Sequence, residues 1–278
     1  MRTLALVESP AQLLNVVEWA HVAQVDLTRL TTVVLAPTNE WSRVQLRRTA
    51  QLATAAGHTV RWHDARQSAL SSVRSVTGLA ATLRGVDRLV LGDPFSGAIQ
   101  LLLGLSRASE VVVVDDGTAT IEFARLWAAN EDLVRWHSSA LTGRRRQVAT
   151  LARHRIRPGS GCRLTLFSCM PVQLAGATVL RNDFSWVRST FPAPSTKPRA
   201  DLIGTSLVET GVVETEHYLQ GVATLAREHD IDRYFAHRKE SDAKLARIEG
   251  LGVEVVRPDL PLEIAARLGV LARRRVRR

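Results

Sequence analysis

Cysteine is nearly absent from this chain of 278 residues. The two present, Cys162 and Cys169, are too few for a disulfide framework, and no Cys/His pair falls at zinc-finger spacing. That usage points to a reducing, cytoplasmic setting. Long apolar runs are missing too. The opening Thr3 to Val7 is too short for a secretory signal and is followed at once by Glu8, and no stretch approaches the roughly 20 apolar residues of a membrane span. The chain has neither a Walker lysine loop nor a Gly-x-Gly-x-x-Gly turn, which removes the commonest phosphate cradles. No pattern calls for a metal or an organic cofactor.

Acidic residues are outnumbered: 37 lysines and arginines face 27 aspartates and glutamates, a net charge of +10. Much of the excess sits in Arg144 to Arg146 and in the terminal run Arg273 to Arg278, broken only by Val276. Neither cluster carries the interleaved aromatics of a nucleic-acid surface, so no nucleic-acid partner is expected. The clusters suit peripheral contact with an anionic membrane at the inner face of the cell membrane, or simply solvated basic faces.

What is present is alternation. Strand patterns at Thr3 to Val7, Thr32 to Ala36, His58 to Trp62, Arg88 to Leu91 and Glu110 to Val114 are separated by helical patterns at 10–24, 40–56, 68–83 and 97–105. Short Val/Leu-rich strands between helices predict a doubly wound parallel sheet. The middle, 124–175, is more helical and basic, with an apolar stretch at Leu164 to Phe167. Three prolines in 191–198 mark a linker. Alternation then resumes, with strands at Asp201 to Ile203, Arg233 to Ala236 and Val253 to Val256 and helices at 212–228, 241–249 and 261–271. The expected organisation is a Rossmann-like domain over 1–190, a linker over 191–199, and a smaller partial domain over 200–278. Three strands are few for a free-standing doubly wound unit.

Four segments carry candidate chemistry. Val111 to Val114 lead into Asp115, Asp116 and Gly117, placing two carboxylates at the carboxyl end of a buried strand, where open α/β sheets bind ligands. Neighbouring strand residues point to opposite sides, so one carboxylate can meet a substrate while the other caps the helix that starts near Thr118. The haloacid-dehalogenase signature Asp-x-Asp-Gly-Thr is excluded because Val114 occupies its first position. His237 ends the second unit's middle strand and is followed by Arg238 and Lys239, a cationic mouth. Gly204, Thr205 and Ser206, with Glu209 behind them, form a strand-to-helix turn whose amides and hydroxyls can hold a phosphate. Ser9, Gln12 and Asn15 place polar groups near one face of the first helix, where Ser9 and Pro10 also read as its cap and first turn.

In this order the segments resemble the bacterial sialyltransferases and polysialyltransferases of lipooligosaccharide and polysialic-acid synthesis. The likeness rests on Ser9-Pro10-Ala11-Gln12, Asp115-Asp116-Gly117, Gly204-Thr205-Ser206 with Glu209, His237-Arg238, and Pro261-Leu262-Glu263, which span nearly the whole chain. Arg238 stands where that family has proline, and the family continues past its Pro-x-Glu to a serine-rich turn beyond Arg278, so the resemblance implies a second domain cut short and an impaired activity. It also implies the two-Rossmann-domain GT-B glycosyltransferase architecture, a CMP-sugar donor in the cleft, and a cell-surface glycan acceptor. Asp115 would be the general base, His237 would contact the donor phosphate with help from Arg238, and the displacement would be inverting and metal-independent. The other named residues would line the substrate sites. A second reading from a different class is a non-catalytic α/β protein that uses the same cleft for a nucleotide or a polyanion.

Overall fold

The computed structural model describes residues 1–64, 78–135, 143–194 and 200–268. They divide into two compact units, one of residues 1–38 and 49–189, the other of residues 39–48 and 190–278.

The first unit is built on seven parallel strands: β1 (Thr3–Val7), β2 (Leu30–Leu35), β3 (Thr59–His63), β4 (Arg88–Leu91), β5 (Glu110–Val114), β6 (Arg163–Ser168) and β7 (Thr178–Arg181). Their spatial order is β3-β2-β1-β4-β5-β6-β7, so the winding reverses between β1 and β4. Helices α1 (Pro10–Val22), α2 (Glu40–Ala55), α3 (Gly97–Leu105), α4 (Thr118–Ala129), α5 (Gly143–Ile156) and α6 (Ser185–Thr190) connect or cover the strands. Alternate residues Leu4, Leu6, Leu89, Leu91, Val111 and Val113 share one core cluster with Leu102, Leu103, Phe123 and Leu126. The intervening Ala5, Val7, Val90, Val112 and Val114 are equally buried. Both faces of the sheet are therefore covered, which is why these strands are unbroken apolar runs rather than alternating ones.

The second unit has a three-stranded parallel sheet, β10-β9-β8, made of β8 (Leu202–Ile203), β9 (Arg233–Phe235) and β10 (Glu254–Val256). Helices α7 (Thr215–Glu228), α8 (Asp242–Glu249) and α9 (Leu262–Ala265) accompany it. Its core gathers Leu219, Val222, Tyr234, Leu245, Ile248 and Val253. The first half of α2 groups with this unit, where Gln45 Nε2 donates to the Pro258 carbonyl at 2.7 Å and Arg48 meets Asp259 at 3.3 Å.

The expected doubly wound α/β class is what forms. Strand β7 and helix α6 had no counterpart in the sequence reading. β7 is a largely exposed edge strand with little apolar signal, and α6 has only six residues. The helix expected at 68–83, the linker and the terminal arginines fall largely outside the described residues.

Candidate functional site

In the first unit the polar groups gather at the carboxyl ends of β1, β4 and β5, around the point where the winding reverses. Asp115 is 2% exposed and surrounded by donors. Its Oδ1 accepts from Thr120 Oγ1 at 2.5 Å and from the Gly117 amide at 3.1 Å. Its Oδ2 accepts from Ser168 Oγ at 3.0 Å and from the Cys169 amide and thiol, both at 3.1 Å. Gly117 makes the turn possible: at φ +65° it precedes α4 in a conformation that L-residues avoid.

Asp116 has different surroundings. Its amide donates to Thr120 Oγ1 at 3.0 Å, and its side chain is 15% exposed, 3.9 Å from the Arg135 guanidinium. Arg135 in turn pairs with Asp93 at 2.7 Å and lies 5.5 Å from the centre of the Phe95 ring. Arg135 and Asp93 went unread in the sequence because they lie in loops of no periodic pattern.

The α1 residues are spent on the protein itself. Ser9 Oγ caps α1 by accepting from the Gln12 amide. Gln12 Oε1 accepts from the Glu8 amide at 2.7 Å, and Gln12 packs so tightly on Gly92 that a Cβ there would fall 2.3 Å from that oxygen. Asn15 donates to the Asp115 carbonyl and accepts from Asn182, both at 2.9 Å. All three are buried, so they shape the Asp115 turn from behind. Glu18, also buried, accepts from the Trp186 and Val187 amides at 2.9 and 2.8 Å and so caps α6.

In the second unit a cavity of about 520 Å³ is lined by His237, Arg238, Lys239 and Arg257, by the carboxylates Glu40, Glu240 and Asp242, and by Asn39 and Trp41 at the start of α2. Asn39 caps α2 by accepting from the Ser42 amide at 2.8 Å, and Ser241 caps α8 by accepting from the Lys244 amide. Two positive helix ends thus adjoin a rim of mixed charge. Burial, reinforced by Arg238 and Lys239, pushes the His237 imidazole down to about 4. It is neutral at physiological pH. Its Nδ1 accepts from the Lys239 amide at 3.3 Å, which leaves Nε2–H as the ring's donor.

Gly204, Thr205 and Glu209 meet His237 through shared partners. Lys244 Nζ, with a side chain 1% exposed, lies 3.0 Å from the Thr205 carbonyl, 3.0 Å from Glu209 Oε2 and 2.8 Å from Glu240 Oε1. Glu240 accepts from the His237 amide and from Tyr234 Oη. Burial beside Glu240 and Tyr218 drives the Tyr234 phenol far above its ordinary range. Ser206 takes part only through its carbonyl, in a turn closed by Thr210. Pro261 precedes α9 and Glu263 is exposed in its first turn; neither lines the cavity. Lys244 and Glu240 were missed because a Glu-x-x-x-Lys pair astride the start of a short helix reads as a solvated ion pair. Only the fold buries them.

Two parallel α/β sheets with chemistry at their strand ends are the composition of the GT-B glycosyltransferase fold class. A solved structure that shares this fold is the 2,6-sialyltransferase of Photobacterium sp. JT-ISH-224, seen with CMP and lactose. The TM-score is 0.51 at 11% identity, over 97% of this chain and 65% of that one. The heptosyltransferase WaaC of E. coli, with ADP-2-deoxy-2-fluoro heptose, matches at a TM-score of 0.38 and 14% identity over 96% and 79% of the two chains, too loosely to argue from. No protein-family model and no curated protein matches.

Proposed function

We propose that the protein is a glycosyltransferase that moves a sugar, sialic acid from a CMP-sugar, to a hydroxyl of a cell-surface glycan by inverting displacement. The observation that carries this reading is the pairing, within one chain, of a carboxylate pair at one parallel sheet's carboxyl end with a cavity at the other's that holds the His237 imidazole beside Arg238 and Lys239. The fold, shared with a sialyltransferase seen with CMP, supports it.

The acceptor O–H gives its proton to a carboxylate while its oxygen bonds the anomeric carbon. The bond from that carbon to the phosphate oxygen breaks, and the electron pair leaves with CMP. The resemblance gives the base role to Asp115. Five donors already engage its two oxygens, which fills the roughly four lone-pair sites of a carboxylate. We therefore assign proton abstraction to the more exposed Asp116 and the holding of the turn to Asp115. His237 Nε2–H, with Arg238, meets the charge that grows on the leaving phosphate.

The test is transfer from CMP-sialic acid to lactose, followed by mass spectrometry with the product's anomeric configuration read by NMR. An inverted sialoside is expected. CMP binding without sialoside across a panel of acceptors would favour the non-catalytic binding protein instead.

A further inference from the structure

The second unit holds a buried ion cluster that the mechanism above does not use. Lys244 and Glu240 have side chains 1% and 0% exposed, so both charges have been taken out of water, a cost that only well-aimed partners offset. Here the partners belong to two separate turns. Glu209 and the Thr205 carbonyl come from the turn after β8, while Glu240 fixes the His237 amide at the end of β9. Glu209 reaches across as well, its Oε1 accepting from the Ser241 amide that opens α8 at 3.0 Å. The ammonium also lies 4.3 Å from the centre of the Tyr218 ring, whose hydroxyl accepts from the Thr205 amide at 3.1 Å and meets Tyr234 Oη at 2.8 Å. Gly204 admits this packing, since a Cβ there would fall 2.2 Å from Glu240 Oε2.

The cluster carries two carboxylates against one ammonium. One of the two carboxylate residues, Glu240, lines the cavity that would receive a phosphate, where a surplus negative charge works against anion binding. A structure built only for phosphate affinity would not place it there. Its geometry instead serves to hold two turns in one relation. We infer that Lys244 is a positioning residue of the nucleotide-phosphate subsite: by gripping Glu209, Glu240 and the Thr205 carbonyl together, it sets the His237 imidazole and the Gly204–Ser206 turn in register for the donor. This inference rests on the donor-site reading given above.

The experiment is calorimetric titration of the full chain with CMP, in wild type, Lys244→Met, Lys244→Arg and Glu209→Gln, each checked for folding by its thermal transition. Lys244→Met is expected to bind CMP about ten-fold more weakly or worse, with Lys244→Arg recovering part of the loss. Glu209→Gln guards against a misfolded Lys244→Met, because it leaves the buried Lys244–Glu240 pair balanced. If charge alone matters, removing this carboxylate tightens CMP binding; positioning predicts weaker binding. Folded Lys244→Met with wild-type affinity, or tighter binding by Glu209→Gln, would overturn the inference while leaving the donor-site reading intact. A wild type that binds no CMP removes that reading and the inference with it.

Discussion

Asp115 and Asp116 are chain neighbours in opposite situations. One is sealed among five donors; the other reaches the surface near Arg135. In Asp115→Asn an amide N–H₂ would face either Thr120 and Gly117 or Ser168 and Cys169. A buried donor set against donors costs about 1–3 kcal/mol, visible as a lowered thermal midpoint. Asp116→Asn should leave that midpoint nearly unchanged while kcat falls about 100-fold or more, the scale of a lost general base. Should Asp115→Asn fold normally and lose turnover while Asp116→Asn keeps it, the resemblance's assignment of Asp115 is the correct one.

His237 makes a pH prediction. Its folded pKa of about 4 lies below the ordinary 6.5 because of burial, then of Arg238 and Lys239, with Lys244 adding to the shift and Glu209 opposing it. Between those values the unfolded imidazole takes up a proton that the folded one refuses. Its contribution to stability is therefore whole above pH 6.5 and is lost as pH falls towards 4. Thermal midpoints of wild type and His237→Gln, measured across that window, should converge or cross as the solution is acidified. A constant offset would mean that His237 titrates normally in the fold.

At the scale of elements, much was legible and the failures have causes. Strands β1, β4 and β5 and helix α3 were readable to the residue, because buried strands between helices leave apolar runs with sharp ends. The α2 pattern was equally readable, yet nothing in it signals that residues 39–48 group with the second unit. Periodicity reports which face is buried, not what buries it. The turn at Asp115–Gly117 was legible as a strand-end motif, whereas the inward use of Gln12 and Asn15 was not, since Asn15 meets the Asp115 carbonyl and Asn182, 100 and 167 residues away in the chain, and Gln12 packs against Gly92. Gly204 showed only part of its use. It reads as a phosphate turn, and in the fold it also makes room for Glu240 and Tyr234. Gly204→Ala should therefore cost about 1–3 kcal/mol by overpacking, read by denaturant melts, with or without any ligand.

For the whole molecule the question is where the surplus of ten positive charges goes. Several arginines are committed inside the fold. Arg145 donates to Gln100 at 2.8 Å and to the Phe95 carbonyl at 2.7 Å, Arg155 bonds the Ser106 and Ala108 carbonyls, and Arg233 grips Asp201. The triplet Arg144 to Arg146 is thus not a uniform basic patch, for its middle member faces inward. Arg145→Met should lower the thermal midpoint. Arg144→Ser with Arg146→Ser should leave the midpoint alone and weaken sedimentation with phosphatidylserine vesicles, most clearly at low salt. Equal effects of both changes on vesicle binding would contradict this division. Among the described residues no helix is long and apolar enough to cross a membrane.

The measurement closest to the central claim is a calorimetric comparison of CMP with ADP, UDP and GDP on the full chain. Saturable CMP binding at least about ten-fold tighter than that of the other three is expected, abolished in His237→Ala. Binding of ADP in preference to CMP, or CMP binding that survives His237→Ala unchanged, would contradict it.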